Sequence, residues 1–252
     1  MTSPPLVDAL VVAAGRGTRL KLADDSAPKQ YLPLAGRPVL TWTLEALCAC
    51  PEIHRVQVVI HADDYALYDE ARMALSPGAA ARLLPAVTGG DTRQASVRLG
   101  LEAMSAGRDK VRHVLIHDAA RPFLPVVVVE RLVAALRGGD KAVLAALPVH
   151  DTLKRAGPDG FATGTVDRSG LWAAQTPQGF GLAEIVSAHR AALAAGETAF
   201  TDDTSLAEWA GLKVRLVEGA AETYKITTRA DLDRARRDVD RFAAMLNRNA
   251  PA

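Results

Sequence analysis

Hydrophobic positions along the chain fall into short runs that alternate with stretches of helical period. Val7 to Ala14 is almost continuously apolar, as suits a central strand covered on both faces. A helical pattern opens at Pro38, since proline is well placed in a first turn. Val56–Ile60 then reads as strand, Asp63–Ala74 as helix, Arg82–Val87 as strand and Arg93–Met104 as helix. Val111–His117 is another buried strand, Val126–Arg137 a helix and Ala142–Val149 a strand. The alternation predicts an α/β fold, a doubly wound, mostly parallel, Rossmann-like sheet.

The rhythm breaks at His150. Residues 150–178 hold glycines, polar turns and β-branched residues without a helical period, and Asp159-Gly160 is a hairpin signal. The segment reads as a projecting β-arm, with a long surface loop as the alternative. Loops of this length inside compact domains are usually functional. Alternation returns with a helix over Leu182–Ala195, a segment Thr201–Trp209, a strand Val214–Val217 and a helix over Ala230–Leu246. No repeat or linker interrupts the pattern, so residues 1–252 are expected to form a single domain.

Composition narrows the function more than the fold. The formal net charge is +1, so no whole-molecule field points to nucleic acid or an anionic membrane. No apolar stretch reaches spanning length, and Met1 to Pro5 lack the pattern of a signal peptide. The two cysteines, Cys48 and Cys50, are too close for an unstrained bridge and too few for a zinc shell. The expectation is a cytoplasmic protein with reduced thiols.

Three segments carry candidate chemistry. Gly15-Arg16-Gly17-Thr18-Arg19 follows the first strand, with Lys21 and Lys29 close behind. Two glycines at the carboxyl end of a strand let backbone N–H groups approach a phosphate chain, although a mere turn would look the same. It is neither a Walker loop nor the dinucleotide fingerprint, whose third glycine is missing. His61 stands where a dehydrogenase would carry an acid. Gly89-Gly90-Asp91-Thr92-Arg93-Gln94-Ala95-Ser96 opens a helix, either to bind an anion or base edge or simply with Asp91 or Thr92 as the N-cap. Asp118, in His117-Asp118-Ala119-Ala120-Arg121-Pro122, ends a strand as a magnesium ligand would, or as a turn cap.

Taken in order, these segments resemble the 2-C-methyl-D-erythritol 4-phosphate cytidylyltransferase family. The likeness continues through Val149–Arg155, Thr165–Trp172, Gln175–Gln178, Thr201–Asp203, Val217–Gly219 and Tyr224–Thr227, and spans Val7 to Asp233. It implies the nucleotidyltransferase, or glycosyltransferase-A-like, version of the fold. It also implies that Arg19, Lys29, Arg168 and Lys225 are catalytic and that Asp118 holds Mg2+. The Gly15–Arg19 loop would wrap the CTP phosphates, with Ala13, Ala14, Gly15 and Gly17 among the substrate-binding positions, while Gly90, Asp91 and Ser96 hold cytosine and ribose. Ala119, Arg121 and Thr176 fall among the substrate-binding positions. Thr152 and Arg168 would grip the sugar phosphate with Thr201 and Lys225, the arm crossing a homodimer to serve the neighbouring site. Relatives that fuse a cyclodiphosphate synthase are longer, so a monofunctional enzyme is expected.

The resemblance implies transfer of CMP from CTP to a polyol phosphate, with loss of pyrophosphate. A phosphate monoester is largely dianionic at neutral pH and needs no general base. What it needs is positive charge, because two polyanions must meet. A ribitol-5-phosphate cytidylyltransferase is the nearest alternative, since so small a pocket difference is hard to read from sequence. A non-catalytic nucleotide sensor would have no use for Lys29, Asp118 and Lys225 together.

Overall fold

A computed structural model of the chain describes residues 6–16, 27–106 and 111–249. In β1 (Leu6–Val12), Val7, Ala9 and Val11 enter one hydrophobic core while Leu10 enters a second. The strand therefore needs cover on both faces. A small hairpin, β2 (Pro33–Leu34) with β3 (Arg37–Pro38), leads into α1 (Val39–Cys48). Pro38 stands outside that helix as its N-cap, so the helix begins one residue later than the pattern suggested. Next come β4 (Ile53–Ile60), α2 (Tyr65–Met73), α3 (Pro77–Ala80), β5 (Val87–Thr88), α4 (Arg93–Ser105), β6 (Val111–Asp118), α5 (Val126–Arg137) and β7 (Ala142–Pro148). The chain continues through β8 (Leu153–Ala156), β9 (Ala162–Val166), β10 (Trp172–Gly181), α6 (Leu182–Ala194), α7 (Asp203–Trp209), β11 (Val214–Glu218) and α8 (Arg229–Asn249).

The main sheet runs β11-β7-β10-β6-β1-β4-β5. Its pairings are parallel except on the two sides of β10, which lies antiparallel to both β6 and β7. One core gathers side chains of α1, α5 and α8, and the other those of α4, α6 and α7. Gly100 lets α4 approach the sheet. A Cβ there would lie 2.6 Å from Leu10 Cδ1 and 2.6 Å from Val59 Cγ2. None of the described helices is long and apolar enough to cross a membrane.

Two expectations need correction. Arg82–Val87 is not a strand. Leu83 makes one isolated bridge to Val56, and only Val87–Thr88 joins β4. Arg82 instead turns its guanidinium on the carbonyls of Cys48, Cys50 and Ile53, at 2.9–3.0 Å, where α1 ends and β4 begins. The stretch 150–178 does not stay outside the sheet. The β8–β9 hairpin projects as a separate two-stranded sheet, but Trp172–Gly181 is a central strand of the main one. Its proline and glycines look like breakers in a sequence. The register of β10 against β7 shifts between Ala174 and Gln178, where Pro177 sits. Thr201–Trp209 resolves into α7, whose N-cap Asp202 and residue Ser205 form a capping box.

Cys48 and Cys50 are free and buried, and burial raises both thiols, Cys48 up to about 12. Neither is a reactive thiolate.

Gly100→Ala is expected to destabilise the domain. Overpacking typically costs about 1–3 kcal/mol, against roughly 1 kcal/mol gained in helix propensity. A urea unfolding curve shifted to lower midpoint is the expected result, and a more stable variant would contradict the packing described.

Candidate functional site

Parallel pairing sets the carboxyl ends of β1, β4 and β6 side by side, with Val12 next to Asp118 on one side and Val59 on the other. A cavity of about 470 Å³ opens at this rim. Open α/β sheets place ligands here because strand ends and helix N-termini direct unpaired backbone groups into the crevice. The loop after β1 is held from inside by Gln30, which is buried and whose Nε2 donates to the carbonyls of Ala13 and Gly15. Across the cavity, Thr92 caps α4 by accepting from the Ala95 N–H at 3.0 Å. Thr92 is thus the cap, and Asp91 is left on the cavity wall. The Ser96 hydroxyl accepts from Gly90 N at 3.1 Å and donates back to the loop, 2.9 Å from the Thr92 carbonyl. Gly89 has no room for a side chain, since a Cβ would come within 2.6 Å of Ala14 Cβ and 2.7 Å of Ser96 Oγ. That close approach joins the two glycine-bearing loops.

Asp118 is buried at the end of β6 and faces three cations. Lys225 Nζ is 2.8 Å and Arg121 Nε 3.4 Å from its Oδ2, while Arg93 Nε is 3.7 Å from Oδ1. Burial pushes its pKa up, but Lys225, Arg93 and Arg121 together outweigh burial and hold the carboxyl well below the usual carboxylate range. Arg93 is shared. Its Nη2 lies 2.7 Å from Asp203 Oδ2, and these carboxylates hold the guanidinium protonated despite its burial. Asp203 is itself buried and kept ionised, chiefly by Arg93 against its own desolvation.

Behind Asp118 lies a neutral chain of hydrogen bonds. His117 is fully buried, which lowers its pKa to about 4. Its Nε2 lies 3.0 Å from the Arg121 carbonyl, which can only accept, so Nε2 carries the proton. Its Nδ1 then accepts from the Thr176 hydroxyl at 2.9 Å, and Thr176 Oγ1 accepts from the Asp118 N–H at 3.1 Å.

The sequence-derived candidates divide by location. Ala14, Gly15, Lys29, Gly90, Asp91, Ser96, Asp118, Ala119 and Lys225 all line the cavity. Ala13 is buried beneath it, with its N–H on the Val59 carbonyl. Arg121 turns from the cavity to Asp118 and the Thr223 carbonyl, 2.7 Å from Nη1. Thr176 is buried under Asp118, whose N–H its hydroxyl accepts, and is not among the residues that line the cavity. Thr152 and Arg168 are exposed beside the β8–β9 hairpin, and Thr201 is exposed before α7. Gly17 and Arg19, with Lys21, lie outside the described residues. Arg16, read as a solvated charge, pairs with Asp63 and with Asp64, 3.0 Å from Nη1. Sequence reasoning missed Arg93 and Gln30. A charge in a first helical turn reads as solvated, and only the fold brings Asp203 to it. Gln30 was visible inside a motif, but its bonds go to main-chain carbonyls, which leave no signature.

A carboxylate ringed by cations at a strand end, facing a glycine loop and a helix N-terminus, defines an α/β domain of the nucleotidyltransferase class. The chain belongs to the 2-C-methyl-D-erythritol 4-phosphate cytidylyltransferase (IspD) family, whose model matches residues 7–241. A solved structure of that enzyme from Thermus thermophilus is 35% identical, with a TM-score of 0.71, over 92% of this chain and 98% of that one. The 4-diphosphocytidyl-2C-methyl-D-erythritol synthase of Anaerococcus prevotii is 28% identical, with a TM-score of 0.76, over 94% and 97%. A bifunctional IspD/IspF enzyme of Paramagnetospirillum magneticum is 52% identical over 90% of this chain and 55% of its own length. The chain spans about half the length of the curated relatives it matches.

His117 makes stability depend on pH. Its pKa is about 4 folded against 6.5 unfolded, so the unfolded chain binds the proton more readily. Its contribution, on the order of 3 kcal/mol, is complete above the unfolded value and is lost as pH falls towards the folded one. Urea midpoints are expected to fall between pH 6.5 and 4, with a shallower fall in His117→Gln. Equal slopes in the two proteins would show that this imidazole is not buried and neutral.

Proposed function

We propose that the chain transfers CMP from CTP to 2-C-methyl-D-erythritol 4-phosphate, giving 4-diphosphocytidyl-2-C-methyl-D-erythritol and pyrophosphate in isoprenoid precursor biosynthesis. One observation carries the reading: a single cavity gathers Lys29, Lys225 and an ionised Asp118 between the β1 loop and the N-terminus of α4. The acceptor is a phosphate monoester, largely dianionic at neutral pH, so the barrier is repulsion between anions rather than proton removal. Lys29 and Arg19 stabilise charge that grows on the phosphate oxygens during displacement at the α-phosphorus. Lys225, now on Asp118, is within reach of an incoming phosphate at the same rim. Gly90, Asp91 and Ser96 take the cytosine and ribose, and the shape of that loop, fixed by the Ser96 hydroxyl, supports the assignment.

Asp118 fits a divalent cation such as Mg2+. Its Oδ2 takes the closer ion pairs, and Oδ1 keeps only the 3.7 Å contact with Arg93 among the described residues. Those residues contain no group of three or more His, Cys, Asp or Glu that could hold a metal. Magnesium at one carboxylate, completed by phosphate oxygens and water, is a common arrangement. When bound, the ion supplies charge neutralisation along the triphosphate.

The active form is a homodimer in which Thr152 and Arg168 serve the neighbouring subunit. Neither residue lines the cavity of its own chain, and the arm exposes Phe161 (74%), Leu171 and Trp172, an unusual load of apolar surface for a hairpin held at one end. The two unbridged cysteines suit a cytoplasmic location.

A pyrophosphate-release assay across four nucleoside triphosphates and two polyol phosphates tests the reading. CTP with 2-C-methyl-D-erythritol 4-phosphate and Mg2+ is the expected productive pair. Preference for ribitol 5-phosphate would reassign the acceptor, and absence of release would leave only a nucleotide-binding protein. Lys29→Ala is expected to lower kcat about 10²–10³-fold, as loss of one charge-stabilising donor does. A rate within about threefold of wild type would remove Lys29 from the chemistry. Arg168→Ala is expected to raise KM for the acceptor more than for CTP, and equal effects would contradict its assignment.

A further inference from the structure

The glycine loop after β1 is tied down twice. Gln30 holds it at the Ala13 and Gly15 carbonyls. The second tie is Arg16, which pairs with Asp63 and whose Nη1 lies 3.0 Å from Asp64 Oδ1. Both acids belong to the turn between β4 and α2, and that turn is itself braced. His61 Nδ1 accepts from the Asp63 N–H at 3.2 Å, and the His61 carbonyl accepts from the Asp64 N–H at 3.0 Å. Arg16 and His61 both line the cavity.

The burial of these side chains decides how the arginine can act. Arg16 is half-exposed and Asp63 largely exposed, but the Asp64 side chain is only 2% exposed. Burial raises the Asp64 carboxyl, and the Arg16 guanidinium opposes that shift. Asp64 Oδ2 is buried with no hydrogen-bond partner among the described residues. A guanidinium that left for a phosphate would strand this buried carboxylate, which is costly. Two carboxylates around one guanidinium also leave the group without net positive charge, so as it stands it does not attract a polyphosphate. The ion pairs therefore serve to hold the loop. A loop held in its binding shape before the ligand arrives loses less freedom on binding. Gly15 gains most from this, because it lines the cavity between the two ties.

We propose that Arg16, Asp63 and Asp64 form a latch that holds the glycine loop on the β4–α2 turn and so sets the affinity for the nucleoside triphosphate, Arg16 being a positioning residue and not a phosphate ligand. The inference rests on the proposed function and adds a device to the same cavity.

Calorimetric titration with CTP and Mg2+, without acceptor, separates the two roles by sign. Arg16→Ala is expected to raise the Kd for CTP about threefold or more, the scale of a half-exposed ion pair. Asp63→Asn, at an exposed position where folding is not at risk, is expected to raise it too. The double variant is expected to stay within about twofold of Arg16→Ala, since both changes break one interaction. Were Arg16 a phosphate ligand, Asp63→Asn would free it. Tighter CTP binding by Asp63→Asn, or an unchanged Kd in Arg16→Ala, would overturn the latch. In steady state Asp63→Asn is expected to raise KM for CTP, and a change confined to kcat would overturn the latch as well.

The pairing is read without ligand or turnover from the ¹³C titration of the Asp64 carboxyl. Its midpoint is expected to move up in Arg16→Ala, because the opposing cation is gone. An unmoved midpoint would overturn the proposal. A wild type that binds no CTP would count against the proposed function, and the ¹³C titration would still decide the pairing on which the latch depends.

Discussion

Asp118 sits where three parallel strands end, and it stays ionised in a buried place only because three cations surround it. Taking a carboxylate out of water costs several kcal/mol, and here Lys225, Arg93 and Arg121 share the compensation. Much of the surrounding architecture serves that cluster. Arg93 is fixed by Asp203, whose N–H bonds Gln178 of β10. Arg121 is anchored on the Thr223 carbonyl, two residues before Lys225. Elements distant in the chain thus converge on one charge.

The same cluster explains why so polar a centre is compatible with a stable domain. Its charges are concentrated at the rim, and the interior beneath consists of two apolar cores separated by the sheet. The polar groups nearest that interior, His117, Thr176 and Thr43, are neutral and partnered. Partnering removes most of the penalty of burying them. The charges of this cluster thus face the cavity, above an apolar interior.

Much of this was legible in the sequence. The apolar runs identified β1, β4, β6 and β7, because strands covered on both faces leave uninterrupted hydrophobic stretches. The glycine loop, Lys29, Asp118 and Lys225 were visible as residue types, and the fold brings Gly15 and these three side chains to one cavity. What stayed hidden had physical reasons. Strand β10 mixes small residues with Pro177, and its place between β6 and β7 is imposed by tertiary pairing rather than by its own pattern. Arg82 looked like the start of a strand, yet its guanidinium collects carbonyls at the end of α1. Arg93 pairs with Asp203, 110 positions away, and Thr176 bonds His117, 59 positions away. No local pattern records such separations.

The antiparallel direction of β10 has a mechanical consequence. The chain leaves the sheet after Pro148, at the rim that holds the cavity, and re-enters opposite it at Trp172. The hairpin is therefore a lever with its fulcrum at the mouth of the crevice. Adding or removing residues between β8 and β9 would displace its far end while β1, β4 and β6 stayed where they are. Reach and grip can accordingly diverge among descendants of one ancestor, the first by changes in hairpin length and the second by the chemistry of the strand ends.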